Sequence, residues 1–175
     1  VVVLDTGTRR GLVDSAYNER RAQCEAAARF FSVGALRDVD EETFADRMHA
    51  LDETPRRRAR HVISENARTE RAAEAMRQGD AQGLGLLLNE SHVSLRDDFS
   101  VSSEALDAMV EFAQDHAGCF VARMTGAGFG GCAVSLVDVA QTALFVEETA
   151  EAYRMRTGHD PSVYVCRAME GAEVL

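Results

Sequence analysis

Apolar and polar positions divide the chain into a strand-like start, a long helical middle, and an end that alternates strands with one helix. VVVLD at 1–5 is an apolar run of strand length, and Thr6-Gly7-Thr8 makes a turn. Residues 9–13 are expected to form a second short extended piece. Asp14 or Ser15 can then N-cap a helix with Tyr17, Cys24, Ala27, Ala28 and Phe31 on its inward face. Gly34 is expected to end that helix. Positions 41–51 spell a short helix with Phe44, Met48 and Leu51 inward. Pro55 suits the first turn of a longer helix reaching about Gln78. Gly79-Asp80 breaks it and caps the next, through Leu84, Leu87, Leu88 and His92. Ser102 or Ser103 opens a further helix that buries Leu106, Met109, Val110 and Ala113 and stops at Gly118.

The period then shortens. CFVARM (119–124) and CAVSLV (132–137) read as strands. Asp138 with Gln141 three residues on resembles a capping box. The helix after it is expected to bury Val139, Ala143, Val146, Ala150 and Tyr153. A loop at 157–161 leads to a last strand, SVYVCRA (162–168). There is no internal repeat and no low-complexity linker. The pattern implies an α+β domain, with mostly antiparallel strands and helices packed on one face. The length fits one ordinary domain or two small ones.

Charge narrows the partners. A net charge of −10 repels nucleic acid on average. No apolar run is long enough for a membrane span. All nineteen basic side chains are Arg, so no lysine chemistry can come from this chain. RRRAR at 56–60 reads as a solvated helix face balanced by Glu65, Glu70 and Glu74, not as a localisation signal. Cys24, Cys119, Cys132 and Cys166 lack CxxC spacing and read as buried free thiols of a cytoplasmic protein. The five histidines are scattered, and no protein-only metal site is expected. VVVLDTGTRR is not a signal peptide; it reads as a strand entered mid-fold, as in a piece of a longer protein.

The densest chemical signal is MTGAGFGG at 124–131. Its Gly126-x-Gly128-x-x-Gly131 spacing matches the dinucleotide fingerprint, which needs a helix after it; here a strand follows. A protein-kinase glycine loop needs a downstream lysine, and a Walker A loop needs GK[ST]. Two readings stay open on the residues alone. One is a tight hairpin; the other is a loop pinned by Phe129 whose N–H groups form an anion-binding nest. Asp97 and Asp98 are adjacent, point apart, and read as a turn with Arg96 rather than an acid–base pair. His92 reads as a buried, satisfied histidine. On spacing alone Tyr17 is a core tyrosine.

Four segments in register carry a resemblance. MTGAGFGGCAVSLV (124–137) resembles the third conserved motif of the GHMP small-molecule kinases, in its galactokinase form. SAYNERRAQCEAA (15–27), HVISENART (61–69) and LLNESHVSLRDDFSVSSEALD (87–107) resemble further galactokinase signatures. The resemblance implies a GHMP kinase C-terminal domain over 1–175, ferredoxin-like in its strands, with the N-terminal domain as its partner. It implies galactose phosphorylation with ATP and Mg²⁺, in the cytoplasm. The base Asp and the Mg²⁺ ligands would then lie upstream of Val1, leaving no catalytic residue in this chain. It makes Tyr17 a sugar contact, and Thr125, Gly126, Ala127, Gly128, Phe129, Gly130 and Gly131 a loop beside the phosphate. A non-catalytic galactose- or ATP-sensing relative, or another GHMP kinase, is the alternative; YNERR at 17–21 and RDDF at 96–99 favour galactose.

Overall fold

The structure is a computed structural model that describes residues 1–9, 13–167 and 171. In chain order the elements are β1 (Val2–Asp5), α1 (Val13–Phe31), α2 (Glu41–Arg47), α3 (Glu53–Gln78), α4 (Ala81–Ser94), α5 (Glu104–Asp115), β2 (Cys119–Met124), β3 (Cys132–Val137), α6 (Thr142–Thr157) and β4 (Ser162–Val165). They form two compact units, one of Val1–Arg9 with Ser103–Leu175, the other Arg10–Ser102.

The first unit is a four-stranded antiparallel sheet in the order β2-β3-β1-β4. With α5 and α6 in their chain positions this is the β-α-β-β-α-β, ferredoxin-like plan, the whole second unit being inserted between β1 and α5. Val2 and Leu4, alternate residues of β1, point into one core with Ala122, Ala133 and Val137. Ala108, Met109, Val110 and Ala113 of α5, and Phe145 and Tyr153 of α6, cover that same face. The expected α+β fold with helices on one face is therefore observed.

Local signals work well around this sheet. Ser103 caps α5, its hydroxyl accepting from the Leu106 N–H, and all four apolar residues expected inside that helix are buried. The α6 face follows expectation only in part: Tyr153 is buried and Val146 packs on the core as expected, but the start of the segment differs. Asp138 accepts from the Ala140 N–H and caps a short 3₁₀ turn at Val139–Gln141, not α6 itself. Phe145, Thr149 and Tyr153 are buried, while Val139 and Ala143 are exposed. β4 is also shorter than expected; Ala168 lies outside the described residues.

The second unit is helical, with a core of Ala27, Ala28 and Phe31 from α1, Phe44 from α2, Ala59 and Ile63 from α3, and Leu36, Val39 and Leu51 from the connections. Most of the expected extended piece at 9–13 falls outside the described residues, and Val13 already begins α1. Asp14 and Ser15 thus sit in the first turn, not at its cap. α1 ends at Phe31, not Gly34. Ser32 takes φ 59°, and the Ser32 and Val33 N–H groups donate to Arg29 O and Ala28 O, a Schellman closure. α3 closes the same way on Gly79, and Asp80 then caps α4 by accepting from the Gly83 N–H. α4 buries Gly85, Ser91, His92 and Ser94, while Leu84, Leu87 and Leu88 are only half-buried. The expected apolar face gives way because polar α3 side chains meet it. The Ser91 hydroxyl donates to Glu65, and His61 Nδ1 lies 2.9 Å from Ser94 Oγ.

All four cysteines are unpaired; Cys24, Cys119 and Cys132 are half-buried rather than buried, and Cys166 is exposed. Burial pushes the Cys119 thiol up to about 11 and raises Cys24 and Cys132 as well. A thiol reagent at pH 7.5 is therefore expected to label one cysteine fast in the folded chain. A Cys166→Ser variant should lose that fast phase; if the fast phase survives, the burial assignment is wrong.

Candidate functional site

The glycine segment joins β2 to β3, so a strand does follow it and the dinucleotide fingerprint is accidental. Its ends close as a hairpin: the Thr125 N–H donates to Cys132 O at 2.9 Å. Between them the backbone departs from hairpin geometry. Gly126, Gly128, Gly130 and Gly131 take φ of 77°, 81°, 128° and 86°, and Phe129 takes 62°. A bulky residue in the left-handed region is rare and persists only where surroundings enforce it. Here the Phe129 side chain is buried, while Thr125, Gly126 and Ala127 are exposed. The loop is thus anchored at one end and presented at the other.

The anchor is the segment after β1. Thr6 is fully buried, and its N–H and its hydroxyl both donate to Gly131 O, at 2.9 and 2.7 Å. The Gly131 N–H donates to Thr8 O at 3.1 Å, and the Tyr153 hydroxyl donates to Thr6 O at 2.9 Å. A Cβ on Gly130 would lie 3.0 Å from Thr8 O, so a side chain there would crowd backbone. Arg9 closes the segment by a 2.6 Å ion pair to Asp5, and its guanidinium holds that carboxyl below the usual carboxylate range. Neither the Thr6–Thr8 partner nor the Tyr153 tie was visible in the sequence. The only hint was a Thr-x-Thr after a strand. The N–H groups of Thr125 and Gly131 are committed to Cys132 O and Thr8 O, so those two are not part of an anion nest.

Tyr17 belongs to the other unit. It lies in the second turn of α1 and is 58% exposed, so the core reading of Tyr17 is overturned. Cys24 and Ala27, farther along α1, do turn inward. The reason is that Ser15–Glu19 contribute no buried side chain.

The RRRAR run is also not a solvated face. Arg58 is only 6% exposed, its Nε donating to Gln23 Oε1 and its Nη1 to Asp98 O and to Ser100 Oγ. Arg60 pairs with Asp98 rather than with a downstream glutamate, and Asp97 pairs with Arg96. The two aspartates therefore serve the π-helical turn Leu95–Phe99, as a structural turn and not an acid–base pair. His92 is buried as expected, 3% exposed. A cavity of about 560 Å³ in the Arg10–Ser102 unit is lined by Arg21, Cys24, Leu36, Arg37, Val62 and Asn66, and Tyr17 is not part of its wall.

Among the described residues no helix is long and apolar enough to cross a membrane. Residues 72–153 match the family model for the GHMP kinases C terminal domain. The chain is 48% identical to a galactokinase of Roseiflexus sp. (strain RS-1), across 98% of this chain and 45% of that protein. The crystal structure of Lactococcus lactis galactokinase complexed with galactose superposes with a TM-score of 0.89 at 40% identity, covering 93% of this chain and 43% of that one. L. major mevalonate kinase in complex with R-mevalonate matches in fold, with a TM-score of 0.53 at 22% identity, over 86% of this chain and 37% of that one. The chain spans less than half the length of the relatives it matches.

Proposed function

We propose that the chain is the C-terminal domain of a galactokinase of the GHMP kinase family, which transfers the γ-phosphoryl of ATP to the C1 hydroxyl of α-D-galactose. The observation that carries this reading is the loop 125–131, anchored by Phe129 and Thr6 and exposed at 125–127, in the sequence form of the third GHMP motif. Phosphoryl transfer is mostly positioning and charge neutralisation, and both can be supplied by backbone.

In this reading the exposed phenol of Tyr17 donates to a sugar hydroxyl and lends its ring face to the pocket. The N–H groups within 126–130 face the transferring phosphoryl and lower the cost of its negative charge. Phe129 holds the loop and does no chemistry. ATP supplies the phosphoryl group. For Mg²⁺ the fit is poor: the loop carries no carboxylate, and among the described residues no three His, Cys, Asp or Glu side chains are grouped to hold a metal ion. The metal ligands and the base carboxylate are accordingly assigned to the N-terminal domain, this chain's partner. The four unpaired cysteines suit a reducing compartment, the cytoplasm.

The test is galactose-dependent ATP turnover by the full-length protein, wild type against Tyr17→Phe. One lost hydrogen bond of about 0.5–1.5 kcal/mol raises the KM for galactose about two- to tenfold. The KM for ATP should stay within about twofold. An unchanged galactose kcat/KM would remove Tyr17 from the site. Galactose binding without turnover would mark a sensor, and turnover only with mevalonate or homoserine would mark another GHMP kinase.

A further inference from the structure

Three segments that looked unrelated in the sequence meet at one point of the Arg10–Ser102 unit: YNERR of α1, RRRAR of α3, and RDDFS at the π-helical turn. Arg20, its side chain 13% exposed, donates from Nε to Phe99 O at 2.7 Å and from Nη2 to Ser100 O at 3.0 Å. Arg58 reaches the same turn from the other side, through Asp98 O and Ser100 Oγ, and is tied back to α1 through Gln23. Ser100 itself takes φ 54°, and His61 stacks on Phe99 with ring centroids 4.4 Å apart. The last carbonyls of a helical turn have no donor within the turn. The planar guanidinium fork of Arg20 answers two of them at once, which an ammonium could not do with the same geometry.

The consequence is for α1. Among the side chains of α1 that are described, the buried ones, Ala27, Ala28 and Phe31, lie in its last two turns, and none of Ser15–Glu19 is buried. Among the described residues 15–19 no fully buried side chain fixes the stretch that carries Tyr17. Arg20 lies three positions on, a neighbour of Tyr17 on the helix surface. Its fork is spent on carbonyls and is not free to bind a ligand. We infer that Arg20 is a positioning residue for Tyr17: by bonding the Phe99 and Ser100 carbonyls it sets where the phenol stands, an inference that rests on the sugar-contact reading of Tyr17.

The experiment uses the full-length kinase with Arg20→Met, Arg20→Lys, Tyr17→Phe and the double variant Tyr17→Phe/Arg20→Met. Arg20→Met is expected to raise the galactose KM about tenfold, with kcat and the ATP KM within about twofold. Arg20→Lys, which keeps one donor, should fall between it and wild type. If Arg20 acts through Tyr17, the double variant is no more than about twofold worse than the worse single variant, whereas independent effects multiply. Multiplying effects, equal rises in both KM values, or an unchanged galactose KM would each overturn the inference. Should Arg20→Met not fold, Arg20→Lys decides by the same split between substrates. A silent Tyr17→Phe sinks the Tyr17 reading and this inference with it. An effective Tyr17→Phe beside a silent Arg20→Met sinks the inference alone.

Discussion

Arg58→Ala is expected to lower the unfolding free energy by about 3 kcal/mol, seen as a drop in Tm of roughly 10 °C for a chain of this size. The side chain is 6% exposed and serves three acceptors: Gln23 Oε1 on α1, Asp98 O and Ser100 Oγ. Truncation strands those acceptors, at about 1–3 kcal/mol for a buried one, and leaves a cavity between α1, α3 and the π-helical turn. A term of opposite sign works against this. Burial, with Arg20 and Arg57 nearby, pulls the Arg58 pKa below the ordinary arginine value, so the fold holds this charge at some expense. Both Arg58→Met and Arg58→Ala relieve the like-charge repulsion, but only Arg58→Met fills the volume, so it should destabilise less than Arg58→Ala. Urea unfolding of both variants checks the order. If Arg58→Met is the worse of the two, the volume left by the guanidinium is not what Arg58→Ala loses, and the cavity part of this account is wrong.

The second large effect belongs to the glycine loop. Gly130→Ala forces an L side chain to φ 128° and brings its Cβ to 3.0 Å from Thr8 O, a backbone atom held by the Gly131 N–H. Strain of about 1–3 kcal/mol is expected from the dihedral alone. It can be released only by moving the loop away from Thr6–Thr8. Displacing groups beside the reacting centre by about 1 Å can lower turnover about a hundredfold, and on the proposed galactokinase reading that is the loss expected in galactose-dependent ATP turnover by the full-length protein. Gly126→Ala is the control. It also sits at positive φ, 77°, but its Cβ meets nothing within 4 Å, so only about 1–2 kcal/mol of backbone strain applies. Steady-state kinetics and Tm on the pair separate the two causes. Equal losses in both variants would mean that contact with Thr8 is not what makes position 130 special.

These cases show which parts of the molecule are legible without coordinates. Ser103 and Asp80 cap the helices they precede because a cap needs only a side-chain oxygen and an N–H three residues later. The strands at 119–124 and 132–137 and the buried face of α5 follow from periodicity in the same way. Errors came where one local device displaced another. A 3₁₀ turn took Val139–Gln141 out of α6, and α1 closed on Ser32 at φ 59° where Gly34 had been expected to end it.

The candidate site was half legible. Four glycines around Phe129 announced an unusual loop, and burial of that ring is the expected outcome. What holds the loop was not announced. Thr6 bonds to Gly131 across 125 residues of sequence, through a carbonyl that every residue type carries. For the same reason RRRAR looked like solvated charge: the partners of Arg58 include backbone oxygen at Asp98, which leaves no mark on the residues around it.

The amino-acid order by itself determined the helices, the two strands of the hairpin, the caps at Gly79, Asp80 and Ser103, and the place where backbone had to be left bare. Tertiary structure alone decided that β1 lies between β3 and β4, that Tyr17 stays exposed, and that Arg20 and Arg58 grip a π-helical turn. The division follows from range. Capping and periodicity act within about one helical turn and are written in side chains. Strand pairing and carbonyl recognition join distant segments through main-chain groups that are alike at almost every position.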